Sequence, residues 1–213
     1  MKRIRTAKGR KISSTRWLER QLNDPYVQRA KAENYRSRAA YKLLELDERF
    51  GLLKGVKSVI DLGIAPGGWS QVVRRRVPQA KVVGIDLLPT DPIDGVAILQ
   101  MDFMDEAAPD CLKEALGGPA DLVLSDMAAP ATGHAATDHL RIVALAEDAL
   151  AFAESILAPR GAFIAKVFQG GAASDLLAQL KKAFDEVRHA KPPASRAESA
   201  ETYVIAKGFR GGA

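Results

Sequence analysis

Short apolar segments alternate along this chain with longer segments in which apolar residues recur at helical spacing. The apolar segments predict seven strands, at residues 56–60, 81–86, 96–100, 120–126, 162–168, 186–189 and 202–207. The helical spacing predicts helices at residues 35–50, 71–77, 137–157 and 176–184. This alternation is typical of a Rossmann-like α/β fold, with a mostly parallel seven-stranded sheet and helices on both faces. The two consecutive closing strands predict that the final strand is antiparallel.

A glycine-rich turn, residues 61–70 (DLGIAPGGWS), follows the first predicted strand and opens a helix. Such a turn lies at the carboxyl edge of the sheet and presents bare backbone N–H groups to a ligand. Its spacing is not that of a dinucleotide-binding loop, because Ala65 stands where the second glycine is required. It is not a P-loop either, because Trp69 follows the last glycine where a lysine is required. S-adenosylmethionine (SAM) is the remaining common ligand, and a purely structural turn is the alternative.

The composition predicts one α/β domain with an appendage, since 213 residues that are 47% hydrophobic can bury a sizeable core. The single cysteine, Cys111, excludes an internal disulfide and predicts a reducing compartment, so we expect a cytoplasmic protein. The three histidines lack the spacing of zinc ligands, and no segment is apolar enough to span a membrane. We expect a monomer without a metal. A transit peptide is the alternative interpretation of the basic N-terminus.

The charge is unevenly distributed, because residues 1–42 hold 13 Lys and Arg against 3 Asp and Glu, whereas the whole chain has a net charge of only +5. We predict a basic, partly flexible N-terminal arm at residues 1–32 that contacts RNA, followed by a single domain at residues 33–213. A solvated tail is the alternative. The predicted phosphate contacts are Arg3, Arg5, Lys8, Arg10, Lys11, Arg16, Arg36, Arg38 and Arg196, with Trp17, Tyr26, Tyr35 and Tyr41 available for stacking on bases.

Polar residues at the ends of apolar strands are candidates for ligand contacts. Asp86 ends the second strand, where an acid can accept hydrogen bonds from ribose hydroxyls. Asp102 follows the third strand and could accept from an adenine amino group or cap a helix. Lys166 lies inside an apolar strand and needs a partner, which Asp126 on the neighbouring strand can provide. A structural ion pair is the alternative for these two residues.

Six segments together closely resemble the FtsJ/RrmJ family of bacterial ribose methyltransferases that act on large-subunit ribosomal RNA. They are residues 37–43 (SRAAYKL), 61–70, 86–89 (DLLP), 125–128 (SDMA), 166–170 (KVFQG) and 195–201 (SRAESAE), and the resemblance covers residues 24–208. It implies a catalytic tetrad of Lys42, Asp126, Lys166 and Glu201. It also implies SAM contacts at Gly63, Gly67, Trp69, Asp86, Asp102 and Asp126. Two departures, Ile64 in the loop and the later proline at Pro130, do not touch the tetrad.

The resemblance implies methyl transfer from SAM to the ribose 2′-hydroxyl of a uridine in 23S ribosomal RNA, within the assembled large subunit. Methylation of a transfer RNA and a non-catalytic RNA-binding role are the alternatives. The family assigns Lys166 as the base, which would require its pKa to fall by roughly 3 units from about 10.4. Lys42 would favour that fall, whereas the carboxylates of Asp126 and Glu201 oppose it. Lys166 could instead remain a cation that holds the developing alkoxide, and the sequence leaves both roles open.

Overall fold

The computed structural model describes residues 22–130, 132–168 and 174–211, and its centre is one seven-stranded sheet. The strands are β1 (Ser58–Leu62), β2 (Lys81–Asp86), β3 (Val96–Gln100), β4 (Ala120–Ser125), β5 (Leu157–Phe168), β6 (Phe184–Ala190) and β7 (Glu201–Phe209). Their order is β3-β2-β1-β4-β5-β7-β6. β1 to β5 run parallel, and β7 is antiparallel to both of its neighbours. The predicted fold is therefore confirmed.

Helices cover both faces of the sheet because successive strand residues point to opposite sides. The helices are α1 (Pro25–Ala32), α2 (Ala39–Phe50), α3 (Gly68–Arg76), α4 (Ala108–Leu116), α5 (Ala135–Ile156) and α6 (Ser174–Ala183). Along β4, Val123 packs into the core under α4, α5 and α6, whereas Leu122 and Leu124 pack into the core under α2 and α3. This arrangement leaves the carboxyl edge of the parallel strands free for a site.

Three elements differ most from the sequence prediction, and one of them is α1, which was not predicted as a helix. β5 begins at Leu157, five residues earlier than predicted, because Pro159 and Gly161 mark an irregularity within the strand and not its start. Arg160 has a φ of 68° at this point. The prediction also missed α4, although apolar residues recur there every fourth position from Ala108 to Leu116. The signal for that helix was present in the sequence.

The described part of the predicted arm, residues 22–32, contains α1. The carboxylate of Asp24 accepts a hydrogen bond from the backbone N–H of Tyr26 at 3.0 Å and so caps this helix. Ala30 of α1 is buried against Tyr41. The arm residues from Arg3 to Trp17 lie outside the described residues, as do positions 169 and 170 of the 166–170 motif. The boundary at residue 32 and the RNA contacts of the arm stay predictions.

In the part of the chain that the structure describes, no helix has both the length and the apolar character needed to cross a membrane. Within the same ranges, His, Cys, Asp and Glu side chains form no group of three that could hold a metal ion. Cys111 is a free thiol of intermediate exposure.

Candidate active site

A cavity of about 640 Å³ opens at the carboxyl edge of the sheet. Four strand ends contribute to its wall: Gly63 after β1, Asp86 at the end of β2, Asp102 after β3 and Asp126 after β4. Arg141 and Asp148 of α5 add further polar groups. Its apolar wall includes Leu87, Leu88, Phe103, Met104 and Met127. Four of the six residues predicted to bind SAM therefore line one cavity with an apolar body and a few acceptors, which suits an adenosine group.

The carboxylates of the cavity are oriented by backbone N–H groups. Asp86 accepts from the N–H of Ala65 at 2.8 Å and from the N–H of Leu88 at 2.9 Å, so it holds the glycine loop in place. Asp102 accepts from the N–H of Met104 at 3.0 Å. This bond closes a short turn and does not cap a helix, since α4 begins only at Ala108. Each carboxylate oxygen can accept more than one hydrogen bond, so both residues can still accept from a ligand.

Two glycines shape the loop at the mouth of the cavity. Gly63 has a φ of 80°, and a Cβ there would lie 2.9 Å from the side chain of Met127. Gly67 has a φ of 105° and precedes the first turn of α3, where a Cβ would collide with Ile93. A residue with a side chain would be strained at either position. Gly63 lines the cavity and Gly67 does not, so the contact predicted for Gly67 stays a prediction.

The Trp69 side chain does not face the cavity. It is only 3% exposed, its indole N–H donates to the carbonyl of Ala39 at 2.8 Å, and its ring lies 5.6 Å from that of Tyr203. The indole is used for packing α3 against α2. A contact between Trp69 and the cofactor stays a prediction, and the structure provides no side-chain surface for it in the cavity.

The four residues of the predicted tetrad come together although four separate elements carry them. Lys166 on β5 lies 3.2 Å from Oδ1 of Asp126, and it donates to the backbone carbonyl of Asp126 at 2.6 Å. Lys42 on α2 lies 2.8 Å from Oε2 of Glu201 and 3.9 Å from Oδ2 of Asp126. The arrangement is one chain of alternating charges, in which Asp126 contacts both lysines.

Tyr203 is a member of this cluster that sequence reasoning missed. Its hydroxyl donates to Oδ1 of Asp126 at 2.7 Å and accepts from Nζ of Lys42 at 3.1 Å. The side chain is fully buried, and burial raises its pKa well above 10. The signal was the period of the strand, since Tyr203 lies two residues after Glu201 on β7 and pairs with Lys166 across the ladder.

The charges of the cluster decide the ionisation of Asp126. Burial alone would raise the pKa of this carboxyl group. The positive charges of Lys166 and Lys42, together with the hydrogen bond from Tyr203, more than offset burial, so the pKa lies below its ordinary value. Asp126 is therefore a carboxylate at neutral pH and is the anion that holds the two lysines together.

Asp61, beneath the glycine loop, differs from Asp126 because its surroundings raise the pKa of its carboxyl group. It is 1% exposed, and its Oδ2 accepts from the Ser70 hydroxyl at 2.6 Å. Burial raises the pKa of Asp61 to about 7; the Ser70 hydrogen bond opposes the shift, whereas the negative charges of Asp126 and Asp86 add to it. The charged form of Asp61 thus destabilises the folded state, and its protonated form does not.

We expect Asp61→Asn to remove a pH dependence of stability. Between about pH 4 and about pH 7 the folded protein binds a proton that the unfolded chain has lost, so the free energy of unfolding falls as pH rises. Urea unfolding of both proteins across this range should show the stability of the wild type falling relative to the variant, with no further relative change above about pH 7. Parallel pH profiles of the two proteins would contradict the assignment.

A second concavity, a groove of about 430 Å³, lies on the other side of the tetrad. Lys42 and Glu201 form part of its wall, and the remaining lining residues include Ser37, Arg38, Arg196 and Ser199. Asp126 lines the first cavity, whereas Lys42 and Glu201 line the groove. The tetrad therefore forms the boundary between a cavity that suits a cofactor and a polar groove whose arginines and lysine suit an RNA acceptor.

Two of the arginines predicted to bind phosphate lie at this groove and share one carboxylate. Arg38 lies 2.6 Å from Oδ2 of Asp24, and Arg196 lies 3.6 Å from the same oxygen. Arg38 also donates to the carbonyl of Ala194. The lining holds three cations, Arg38, Lys42 and Arg196, and two acids, Glu198 and Glu201, and Asp24 pairs with both arginines. The groove therefore presents arginine donors but carries no large net charge.

The sequence run of three arginines at the end of α3 is typical of a solvated face, and Arg75 and Arg76 are exposed; all three side chains also brace loops or a neighbouring helix. Arg74 donates to the carbonyls of Asp94 and Ala80 at 3.1 and 2.9 Å. Arg75 donates to the carbonyls of residues 33 and 34 at 2.9 and 3.0 Å. Arg76 forms longer ion pairs, of 3.9 and 3.5 Å, with two acids of α2.

Comparison with known proteins agrees with this geometry. The family profile described as FtsJ-like methyltransferase matches residues 35–209. A ribosomal RNA large subunit methyltransferase E of Sphingopyxis alaskensis is 68% identical over 209 residues, covering 98% of this chain and 91% of the relative. The protein of the same name from Novosphingobium aromaticivorans is 67% identical, covering 98% and 94%.

Solved structures show the same fold. A crystal structure described as a ribosomal RNA methyltransferase of Plasmodium falciparum superposes with a TM-score of 0.74 at 36% identity, covering 84% of this chain and all of that one. Human methyltransferase-like protein 13 in complex with SAH superposes with a TM-score of 0.55 at 18% identity, covering 80% of each chain. The second likeness is one of fold alone.

Proposed function

Because this chain belongs to the FtsJ-like methyltransferase family, we propose that it transfers a methyl group from SAM to the ribose 2′-hydroxyl of a uridine in 23S ribosomal RNA, within the assembled large subunit. The observation that carries this proposal is the position of the tetrad between the acidic cavity and the groove that Arg38 and Arg196 line. A ribose reached through the groove would meet Lys42 and Glu201 first, with Lys166 and Asp126 behind them. We propose that the protein acts as a monomer in the cytoplasm, where bacterial ribosomes are assembled.

The residues of the cavity fit SAM. Asp86 is placed to accept from the ribose hydroxyls of the cofactor and Asp102 from its adenine amino group, between the apolar side chains of Leu87, Leu88 and Phe103. The carboxylate of Asp126 lies where a cationic ligand is favoured. When bound, SAM supplies an electrophilic methyl group on a positively charged sulfur. Gly63 allows the loop backbone to approach the ligand closely.

Lys166 acts in this proposal as a cation that holds the 2′-oxygen of the acceptor. Its ammonium group has three N–H donors, and the Oδ1 atom and the carbonyl of Asp126 take two of them. Among the described residues the ammonium group has no third acceptor, and in this proposal its third N–H donates to the 2′-oxygen. Both protein partners of Lys166 are acceptors, so its N–H groups donate to them. The 2′-oxygen bonds to the methyl carbon as the methyl–sulfur bond breaks, and the hydroxyl proton passes to solvent. The positive charge of Lys166 stabilises the negative charge that develops on the oxygen.

Lys42 and Glu201 orient the ribose. Glu201 accepts from Lys42 at 2.8 Å and from the Ser195 hydroxyl at 2.7 Å, so both of its oxygens are held on the groove side of the tetrad. A carboxylate so fixed can accept a hydrogen bond from a ribose hydroxyl. These two residues position the acceptor, whereas Lys166 and Asp126 act on the reacting oxygen.

The experiment that tests the function is transfer of labelled methyl from SAM to three RNA substrates in parallel. These are free 23S ribosomal RNA, isolated large subunits and bulk transfer RNA, all prepared from cells that lack this enzyme. We expect label in the large subunits and little or none in transfer RNA. Label chiefly in transfer RNA would show that transfer RNA is the substrate. Absence of label from all three RNAs would exclude a catalytic role for the tetrad.

We expect the N-terminal arm to contribute salt-dependent RNA affinity. Neutralising its basic residues with Gln should raise the KM for RNA and flatten the dependence of log KM on log salt by about 0.7 for each phosphate that the arm no longer neutralises. The residues changed are Arg3, Arg5, Lys8, Arg10, Lys11 and Arg16. The matched control is Lys181→Gln with Lys182→Gln, on exposed positions of α6 beside the edge strand β6. Equal slopes for the arm variant and the control would contradict the prediction.

A further inference from the structure

Arg36 stands two residues before Arg38 in the sequence, yet the structure gives the two side chains different partners. Arg38 lines the groove and pairs with Asp24. The Arg36 guanidinium donates instead to three backbone carbonyls, through Nη1 to Pro66 at 3.2 Å and Asp91 at 2.6 Å, and through Nη2 to Pro92 at 2.6 Å. The phosphate contact expected of Arg36 would have to displace these bonds.

The three carbonyls belong to the two loops that form the mouth of the cofactor cavity. Pro66 follows Ala65, which lines the cavity in the glycine loop. Asp91 and Pro92 belong to the loop between β2 and β3, whose first residues, Leu87 and Leu88, line the cavity opposite. A single side chain thus ties together two loops that each contribute residues to the lining of the cavity.

The backbone of Arg36 is itself held. Its N–H donates to the side-chain oxygen of Gln71 on α3 at 2.7 Å. The β2–β3 loop contains two prolines, and Arg74 holds it further along through the carbonyl of Asp94 at 3.1 Å. The Arg36 guanidinium lies close enough to the glycine loop that a Cβ at Gly67 would come within 3.2 Å of its Nη1 atom. The clamp is therefore packed directly on the glycine loop.

Only an arginine can make this set of contacts. The guanidinium presents five N–H donors in a rigid planar fork, which can reach carbonyls on two sides at once. A lysine ammonium is a compact point charge that could donate to some of these three carbonyls but not to all of them. The same lysine would still serve well as a phosphate contact. The variant Arg36→Lys therefore distinguishes the two possible roles of Arg36, a clamp between the loops and a contact to RNA phosphate.

We propose that Arg36 is a positioning residue for the cofactor: it clamps the glycine loop to the β2–β3 loop and so sets the width of the SAM cavity. This assignment takes the cavity as the SAM site and so rests on the proposed function. The two arginines of this short segment then have different roles: Arg36 holds the loops of the cofactor cavity, and Arg38 lines the groove for the acceptor.

The test is SAM binding by titration calorimetry in the absence of RNA, followed by the KM for RNA at saturating SAM. We expect Arg36→Gln and Arg36→Lys each to weaken SAM binding by about tenfold, equivalent to about 1.4 kcal/mol, and to leave the KM for RNA unchanged. The matched control, Arg38→Gln, should bind SAM like the wild type and raise the KM for RNA. Thermal unfolding shows which variants are folded, and the Lys variant carries the test if the Gln variant is not.

Unchanged SAM affinity in Arg36→Lys would overturn the clamp. So would a raised KM for RNA in Arg36→Gln that Arg36→Lys restores, because that pattern is typical of a phosphate contact. The calorimetric result does not depend on the acceptor. If the wild type binds SAM but methylates none of the three RNAs, the proposed function fails while the clamp remains measurable.

Discussion

Replacing Lys166 by alanine is expected to lower kcat about 10³-fold, the range found when a donor to a developing oxyanion is removed. The side chain is 9% exposed, lies against Asp126, and holds the one N–H aimed at the acceptor oxygen in the proposed mechanism. SAM affinity should change little, because Lys166 does not line the cofactor cavity. Single-turnover methyl transfer at saturating SAM and RNA measures the effect on the chemical step.

The variant Lys166→Arg separates the two roles that the sequence left open. Arginine keeps a positive charge and N–H donors but cannot accept a proton. If Lys166 acts as a cation, the kcat of Lys166→Arg should be clearly higher than that of Lys166→Ala. The kcat of Lys166→Arg should also depend little on pH. If Lys166 is the base, the arginine variant should be as inactive as the alanine variant, and wild-type kcat should rise with pH through the ionisation of the lysine.

Asp126→Asn is expected to cause the second large loss. The substitution keeps the shape of the side chain but leaves Lys42 and Lys166, 13% and 9% exposed, without the carboxylate between them. We expect kcat to fall by about 10²-fold or more, since the cluster that places Lys166 loses its anion. The free energy of unfolding should fall by about 3 kcal/mol, because removing one partner leaves buried charge unpaired.

The control for Asp126→Asn is Glu201→Gln. Glu201 also pairs with a lysine of the tetrad but lies on the groove side, next to Ser195. We expect its loss to act mainly on the KM for RNA and to lower kcat by less than about tenfold. If Glu201→Gln lowers kcat as much as Asp126→Asn, the division between positioning and reacting residues is wrong.

The pairing of Lys166 with Asp126 could be predicted because both residues stand at the ends of neighbouring apolar strands, which meet at one edge of a parallel sheet. A charged residue in an apolar strand is a strong signal, since its burial requires a partner. Tyr203 carried only the weaker signal of strand period, two residues after Glu201, and a tyrosine in a buried strand is ordinary core composition. Its role becomes visible only when the ladder places it opposite Lys166.

The arginines were harder to assign from the sequence, because charge alone does not say where a long side chain ends. Arg36 reaches carbonyls that lie 30 to 56 residues away along the chain. Arg75 likewise reaches back to the carbonyls of residues 33 and 34. Trp69 shows the same limit for an apolar residue, since the family resemblance implies a cofactor contact and does not indicate that its ring packs against Tyr203. Such contacts depend on tertiary packing, which periodicity does not report.

The central claim is that the tetrad directs the methyl group to a ribose oxygen. The most direct measurement is to digest large-subunit RNA that has been labelled by the enzyme with methyl-labelled SAM, and to identify the labelled nucleoside by mass spectrometry. We predict that the label is recovered in 2′-O-methyluridine and that Lys166→Ala abolishes it. Recovery of the label in a base-methylated nucleoside, or undiminished labelling by Lys166→Ala, would contradict the account.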